Sequence, residues 1–139
     1  MFRKGSSAYS RCMTLRIMLA DDNGTFLTAV RNFLRMLPDV SVVAEARDGR
    51  TALAMALEVC PDLILLDIVM PEMSGLEVAQ KLREINPESN IIFLSMHDND
   101  SYRAAASELG AIGYVGKGDF VVDLVPLIDL LLAAKGELQ

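Results

Sequence analysis

The sequence predicts an α/β fold in which helices cover both faces of a five-stranded parallel sheet. Five short apolar runs alternate along the chain with five segments whose apolar residues recur at helical spacing. The runs are apolar throughout, which is typical of strands that are covered on both faces. Strands and helices in alternation, joined by right-handed crossovers, form a doubly wound sheet.

The five apolar runs predict strands at 17–20, 40–46, 63–66, 91–94 and 112–115. The first predicted helix, 26–37, has one apolar face and ends at Pro38. The second, 52–60, ends before Pro61. Because Cys60 lies on the apolar face of the second helix, we expect its thiol to be buried and inert.

The last three predicted helices carry start or stop signals. Ser74 and Glu77 form a capping box at the start of the third helix, which extends to about Ile85. The fourth helix, 101–109, ends at Gly110, which is suited to a left-handed cap. The fifth covers roughly 122–135, and Pro126 fits there only near the first turn or at a kink.

Length and composition are those of one folded domain. The 139 residues are 52% hydrophobic, which argues against intrinsic disorder. No apolar run approaches the roughly 18 residues that span a membrane. Two cysteines are too few for a disulfide framework, so a reduced, cytoplasmic setting is expected.

Charge divides the chain into a basic start and an acidic remainder. The net charge of −6 is the sum of +4 in the first sixteen residues and −10 in the rest. An acidic body disfavours direct binding to nucleic acid. We interpret 1–14 as an N-terminal arm that is disordered, derived from an expression vector, or the result of a misplaced start, with Met13 as a second candidate start. The domain is expected at 15–136, followed by a short tail at 137–139.

Polar side chains follow four of the five predicted strands. Asp21 and Asp22 follow the first, Asp67 the third, Ser95 the fourth and Lys117 the fifth. The carboxyl ends of parallel strands lie along one edge of the sheet, where doubly wound proteins bind their ligands. Each residue also has a simpler interpretation, as a helix cap, a turn or a solvated charge. Together, three converging carboxylates need a counter-charge, which a divalent cation and a lysine would supply.

This set of residues suits phosphoryl transfer. Mg²⁺ is bound by a few carboxylates and keeps several waters. A carboxylate such as Asp67 can act as a nucleophile and form an aspartyl-phosphate. Ser95 and Lys117 could then bind the remaining phosphoryl oxygens, since this reaction depends on positioning and charge neutralisation.

The sequence resembles the receiver domain of bacterial two-component response regulators over about 15–136. The resemblance is carried by Asp21-Asp22, the segment from Leu65 to Gly75 around Asp67, Ser95, Gly113-Tyr114 and Lys117. The segments 94–98 and 110–115 further resemble the subgroup fused to a helix-turn-helix output domain. The resemblance implies a flavodoxin-like sheet with strand order 2-1-3-4-5 and a cytoplasmic protein.

The resemblance also implies a role for each site residue. Asp67 would accept phosphate from a sensor histidine kinase. Asp21, Asp22, the Asp67 side chain and the backbone carbonyl of Val69 would bind Mg²⁺ or Mn²⁺. Lys117 would pair with the phosphoryl oxygens, and Ser95 and Tyr114 would move together as the switch.

The resemblance further implies an output, namely transcription controlled through a DNA-binding domain that is absent from this chain. The apolar segment 120–134 predicts a homodimer through the fourth helix, fifth strand and fifth helix, because one helix face cannot bury all its apolar residues. No membrane partner is expected.

Two residues depart from the family pattern. Gly118 stands where proline often follows the lysine, and a cis bond there would cost roughly 2.5–4 kcal/mol. Met96 is larger than the residue common after the hydroxyl position.

Two other functions compete with the phosphorylated switch. One is a phosphorylation-independent interaction module, whose usual signature is loss of the acid pair, the acceptor or the lysine; none is lost here. The other is an aspartyl-phosphate phosphatase or mutase, which usually needs a second acid where Val69 stands. We therefore expect no enzymatic activity other than self-phosphorylation and self-dephosphorylation.

Overall fold

The computed structural model of the chain describes residues 14–137 and contains one parallel sheet in this range. The strand order is β2-β1-β3-β4-β5. The strands are β1 (Leu15–Ala20), β2 (Val40–Ala46), β3 (Leu63–Asp67), β4 (Ile91–Ser95) and β5 (Gly113–Gly116). The predicted flavodoxin-like, doubly wound sheet is confirmed.

Helices follow every strand. They are α1 (Gly24–Arg35), α2 (Gly49–Val59), α3 (Gly75–Ile85), α4 (Asp100–Glu108) and α5 (Phe120–Glu137), and a 3₁₀ turn at Lys117–Asp119 leads into α5. The first four helices begin at side-chain caps, in which Asn23, Asp48, Ser74 and Asn99 each accept a hydrogen bond from the backbone N–H three residues later. Ser74 is therefore the predicted cap, and Gly110 has the predicted left-handed φ of 75°.

The core has two layers, one on each face of the sheet. Apolar side chains of α1 and α5, such as Leu34 and Leu124, pack on one face. Those of α2, α3 and α4, such as Ala56, Val78 and Ala106, pack on the other. Every residue of β3 and β4 is buried, as expected of central strands between two helical layers.

The order of the strands reverses between β1 and β3, because the chain passes from β1 out to β2 and then back to the other side of β1. In the parallel register Ala20 pairs with Leu66, so the residues that follow, Asp21 and Asp67, emerge side by side. A doubly wound sheet opens a crevice at this switch point. The fold therefore brings the two acids together.

Three sequence expectations need correction or fall outside the structure. Cys60 is exposed, because α2 ends at Val59 and Cys60 turns away in a left-handed conformation with φ 50°. Because the 3₁₀ turn leads directly into α5, Pro126 lies in the second turn of that helix. Residues 1–13 of the predicted arm and 138–139 of the tail lie outside the described residues. Within 14–137, no helix is long and apolar enough to cross a membrane.

Candidate functional site

Three carboxylates converge at the crevice between β1 and β3. Asp21 follows β1 and is 3% exposed, and Asp67 ends β3 and is 5% exposed. Asp22 is exposed beside them. One oxygen from each of the three side chains lies within 4.8 Å of the other two. The predicted acidic cluster therefore forms.

A buried ammonium group lies between the two buried carboxylates. Lys117 begins the 3₁₀ turn after β5 and is 8% exposed. Its Nζ lies 2.6 Å from Asp21 Oδ2 and 3.3 Å from Asp67 Oδ2. The interpretation of Lys117 as a solvated surface charge is therefore wrong.

One ammonium does not balance three carboxylates, and the electrostatics of Asp67 reflect this. The pKa of Asp67 is raised to about 6, first by burial and second by the charge of Asp21, while Lys117 and the Val69 N–H act in the opposite direction. Asp21 Oδ2 is buried without a hydrogen bond of suitable geometry, although Lys117 Nζ is close to it. A surplus of negative charge on closely spaced oxygens fits a hard divalent cation such as Mg²⁺ or Mn²⁺.

The loop that carries Asp21 and Asp22 is fixed by local hydrogen bonds. Asp21 Oδ1 accepts from the backbone N–H of Asn23 at 2.9 Å. Arg47, just past β2, donates from Nε and Nη2 to the carbonyl oxygen of Asp22 at 3.2 and 3.0 Å. The next residue, Asp48, is the N-cap of the following helix, but the sequence pattern carries no signal for the Arg47 contact. Only the adjacency of β2 and β1 could have indicated it.

Ser95 and Tyr114 meet at one backbone group. Ser95, at the end of β4, is 2% exposed, and its Oγ accepts from the His97 N–H at 3.0 Å and donates to the His97 carbonyl oxygen at 3.2 Å. The Tyr114 hydroxyl donates to the same oxygen at 2.7 Å. The guanidinium of Arg103 lies 4.5 Å from the centroid of the Tyr114 ring. Ser95 thus forms a local turn with the backbone of His97, two residues later, and shares the His97 carbonyl with Tyr114.

The loop between β3 and α3 lies against the phosphoacceptor candidate. Val69, two residues after Asp67, is 52% exposed, so its side chain contributes little to the core. The Gly75 N–H donates to the Ile68 carbonyl oxygen at 2.7 Å, which closes the loop at the start of α3. The backbone N–H of Val69 hydrogen-bonds to the Asp67 carboxylate, so Val69 lies beside this side chain.

The family model described as the response regulator receiver domain matches residues 17–128. This range holds every residue of the acidic cluster and all five strands except the first two residues of β1. The chain belongs to the response regulator receiver domain family. It is therefore a signalling domain of two-component systems, as the resemblance implied.

Relatives with full-length curated sequences are about twice as long as the matched segment. The nitrate/nitrite response regulator protein NarL of Escherichia coli K12 is 38% identical over 122 residues, which cover 88% of this chain and 56% of that protein. The transcriptional regulatory protein DegU of Brevibacillus brevis is 33% identical, over 82% of this chain and 50% of that protein. The chain spans about half the length of the curated relatives it matches.

A solved receiver domain has the same fold. The signal receiver domain of the response regulator NarL from Mycobacterium tuberculosis superimposes with a TM-score of 0.80 and 30% identity. The match covers 86% of this chain and 97% of that one. The similarity therefore extends over a whole receiver domain.

Proposed function

We propose that this chain is a phosphoacceptor switch that receives a phosphoryl group on Asp67 from a sensor histidine kinase. One observation carries the proposal: oxygens of Asp21, Asp22 and Asp67 lie within 4.8 Å of one another beside the buried Lys117 ammonium. This arrangement supplies a nucleophile, a set of oxygen ligands and a cation at a single point.

Asp67 is the nucleophile. One of its carboxylate oxygens forms a bond to phosphorus while the bond between phosphorus and the kinase imidazole breaks, and the imidazole leaves with the electron pair. With a pKa of about 6, Asp67 is mostly ionised at neutral pH and able to attack. Lys117, already 3.3 Å from Asp67, neutralises charge on the transferred oxygens.

The cation is Mg²⁺, with Mn²⁺ as a substitute. Asp21, Asp22, the Asp67 side chain and the backbone carbonyl of Val69 would hold it. When bound, it neutralises negative charge where the phosphoryl oxygens gather. The surplus of carboxylates over ammonium groups among the described residues of the site supports this assignment.

Ser95 and Tyr114 form the switch. Phosphorylation adds roughly 1.5–2 negative charges and strong acceptors at Asp67. The Ser95 hydroxyl then exchanges the His97 carbonyl for a phosphoryl oxygen, and Tyr114, which donates to the same carbonyl, rearranges with it. The rearrangement of Ser95 and Tyr114 shifts the conformational equilibrium of the loop between β4 and α4.

The output is transcription. NarL and DegU, each about twice the length of the matched segment, are named for regulatory roles. DNA contact would be made by an output domain beyond this chain, because the acidic body repels phosphate backbones. We place this switch in the cytoplasm and treat it as a signalling domain that catalyses only its own phosphorylation and dephosphorylation.

Activation proceeds through a homodimer formed by α4, β5 and α5. The outer side of α5 is rich in apolar residues: Val122 is 74% exposed and Leu130 is 67% exposed. Exposed apolar patches often mark interaction surfaces. Tyr114 on β5 connects this face to the site.

Intact-mass measurement after incubation with acetyl phosphate and Mg²⁺ tests the proposal. We expect the mass of one added phosphoryl group in the parent chain and in Asp129→Asn, which removes an exposed carboxylate of α5. The gain should vanish in Asp67→Asn and when Mg²⁺ is chelated. Absence of any gain in the parent would favour the phosphorylation-independent interaction module instead.

A further inference from the structure

We propose that Phe26 is a positioning residue for phosphoryl transfer, because its ring holds the Lys117 ammonium in place beside Asp67. The inference rests on the proposed function and extends it to a residue outside the acidic cluster. Phe26 is the third residue of α1 and is half-buried.

The Lys117 ammonium has an aromatic neighbour in addition to its two carboxylates. Its Nζ lies 4.8 Å from the centroid of the Phe26 ring, within the range of a cation–π interaction. The 7% exposure of the lysine side chain means that little water competes for the ammonium. In a desolvated setting this attraction is at its strongest.

The aromatic contact does not depend on the charge of the carboxylates. A bound cation or a phosphoryl group changes what Asp21 and Asp67 offer to Lys117, since those oxygens acquire new partners. The ring of Phe26 keeps its attraction for the ammonium through such changes. It can therefore hold Lys117 while its ion-pair partners are exchanged.

Position 118, directly after Lys117, adds no side-chain packing to the turn. Nothing lies within 4 Å of the position that a Cβ of Gly118 would occupy, so no packing presses on this side of the turn. Glycine also leaves the backbone freer than proline would. The side-chain contacts of Lys117 therefore supply restraint that position 118 does not.

Phe26 is itself fixed from two sides. Its backbone N–H donates to the Asn23 cap at 3.1 Å, which ties it to the loop of Asp21 and Asp22. Its ring packs edge-to-face on Phe120, with centroids 5.4 Å apart and planes at 81°. Phe33, on the same side of α1, packs on Phe120 in the same way at 5.6 Å and 83°. Phe120 begins α5, immediately after the turn that Lys117 opens.

The ring also lines a small cavity that reaches Asp21. The cavity has a volume of about 10 Å³, and Asp21 is the only polar residue among its lining residues, which include Phe26 and Leu27. A cavity of this size holds at most one water, and one polar partner is too few to retain it. Substitution of Phe26 by alanine would enlarge this cavity as well as remove the ring. Substitution by leucine is therefore the better test.

Three variants separate the lysine contact from the packing. Phe26→Leu removes the ring beside Lys117. Phe33→Leu makes the same change in a half-buried ring that packs on Phe120 and has no contact with Lys117 among the described aromatic contacts. Phe26→Tyr keeps an aromatic ring at position 26.

The variants are compared by three measurements. These are the rate of phosphorylation by acetyl phosphate at saturating Mg²⁺, the Kd for Mg²⁺, and the ring-current shift of the Lys117 Cε protons by NMR. We expect Phe26→Leu to slow phosphorylation by about threefold to thirtyfold, the range from an exposed to a desolvated cation–π contact. Its Kd for Mg²⁺ should stay within about twofold, since Phe26 supplies no ligand. Phe33→Leu and Phe26→Tyr should both phosphorylate at the parent rate.

The NMR shift distinguishes failure of this inference from failure of the proposed function. An upfield shift in the parent and in Phe33→Leu, lost in Phe26→Leu, supports the contact even if no phosphorylation occurs. Absence of the shift in the parent overturns the inference. So does a parent-like phosphorylation rate in Phe26→Leu, or an equal loss of rate in Phe26→Leu and Phe33→Leu.

Discussion

Gly75, the first residue of α3, packs directly on the backbone carbonyl of Asp67. A Cβ built on Gly75 would lie 1.9 Å from the Asp67 carbonyl oxygen and 3.0 Å from the Ile68 Cα. Both atoms belong to the backbone at the end of a central strand, so neither can move aside easily. The start of α3 and the candidate phosphoacceptor therefore form one rigid unit.

Gly75→Ala should destabilise the fold by roughly 2–4 kcal/mol, because the added methyl overpacks two backbone segments. Gly118→Ala is the matched control. Its Cβ would meet nothing within 4 Å, so we expect a change between neutral and about 1 kcal/mol of stabilisation. Urea denaturation measures both. Equal stabilities for the two variants would show that the close approach at Gly75 is relieved without cost.

The pKa of Asp67 predicts an unusual dependence of stability on pH. Since its pKa is about 6 in the folded chain, against an ordinary value of 3.8, the folded chain binds this proton more tightly than the unfolded chain. The contribution to stability is fully present below about pH 4 and is lost as the pH rises through about 6. The pKa difference corresponds to about 3 kcal/mol at most.

Asp67→Asn should therefore flatten the fall in the free energy of unfolding between about pH 4 and pH 6, measured with chelator present. The same variant should be more stable than the parent at pH 7. Asp129→Asn, which removes an exposed carboxylate, should keep the parent slope. Parallel pH profiles for the parent and Asp67→Asn would contradict the raised pKa.

The apolar side chain of Val69 leads us to expect a long-lived phosphoryl group on Asp67. Hydrolysis of an aspartyl-phosphate needs a water in line, and the side chain two residues after Asp67 has no polar atom to orient one. Val69→Asn should accelerate self-dephosphorylation by roughly threefold to tenfold, about the effect of one hydrogen bond. The loss of phosphoryl mass is followed over time after the donor is removed.

Val121→Asn is the control for Val69→Asn, because Val121 is also 52% exposed and lies on α5. Its rate should equal that of the parent. A rate in Val69→Asn that is unchanged or slower would refute the role assigned to water positioning. Met96→Ala is measured in the same assay, because Met96 stands next to Ser95 and is 75% exposed.

The exposed apolar side of α5 predicts self-association that phosphorylation strengthens. Sedimentation with and without beryllofluoride and Mg²⁺ should show at least about a tenfold tighter dimer with the mimic, since only differential affinity shifts the equilibrium. Val122→Lys with Leu130→Lys should abolish it. Met36→Lys, at a site 76% exposed after α1, should not.

A chain that stays monomeric in both states at high concentration would reject the dimer. A dimer of equal strength with and without the mimic would keep the interface and reject its control by phosphate.

The sequence predicts those site residues whose location depends on their position at the end of a strand. Asp21 and Asp67 could be placed together because each follows a buried run and the carboxyl ends of parallel strands share an edge. The strand order adds that β1 and β3 are neighbours. Periodicity thus finds the two acids at strand ends, and the strand order makes them neighbours.

Contacts made by long or aromatic side chains between distant elements could not be predicted in this way. Phe26 begins the predicted amphipathic helix 26–37, and its contact with Lys117 arises only when the turn after β5 lies beside α1. The Arg47 contact with Asp22 has the same origin. Cys60 was misplaced by helical periodicity, because the helix ends one residue earlier than the apolar pattern.

Locating the phosphoryl group on one residue tests the assignment of Asp67 most directly. The chain is treated with acetyl phosphate and Mg²⁺, reduced with borohydride, which converts an aspartyl-phosphate to homoserine, and mapped by peptide mass spectrometry. We predict homoserine at position 67 alone, and only when Mg²⁺ is present. Homoserine at position 21 or 22, or at any other acidic residue in place of position 67, would contradict the assignment.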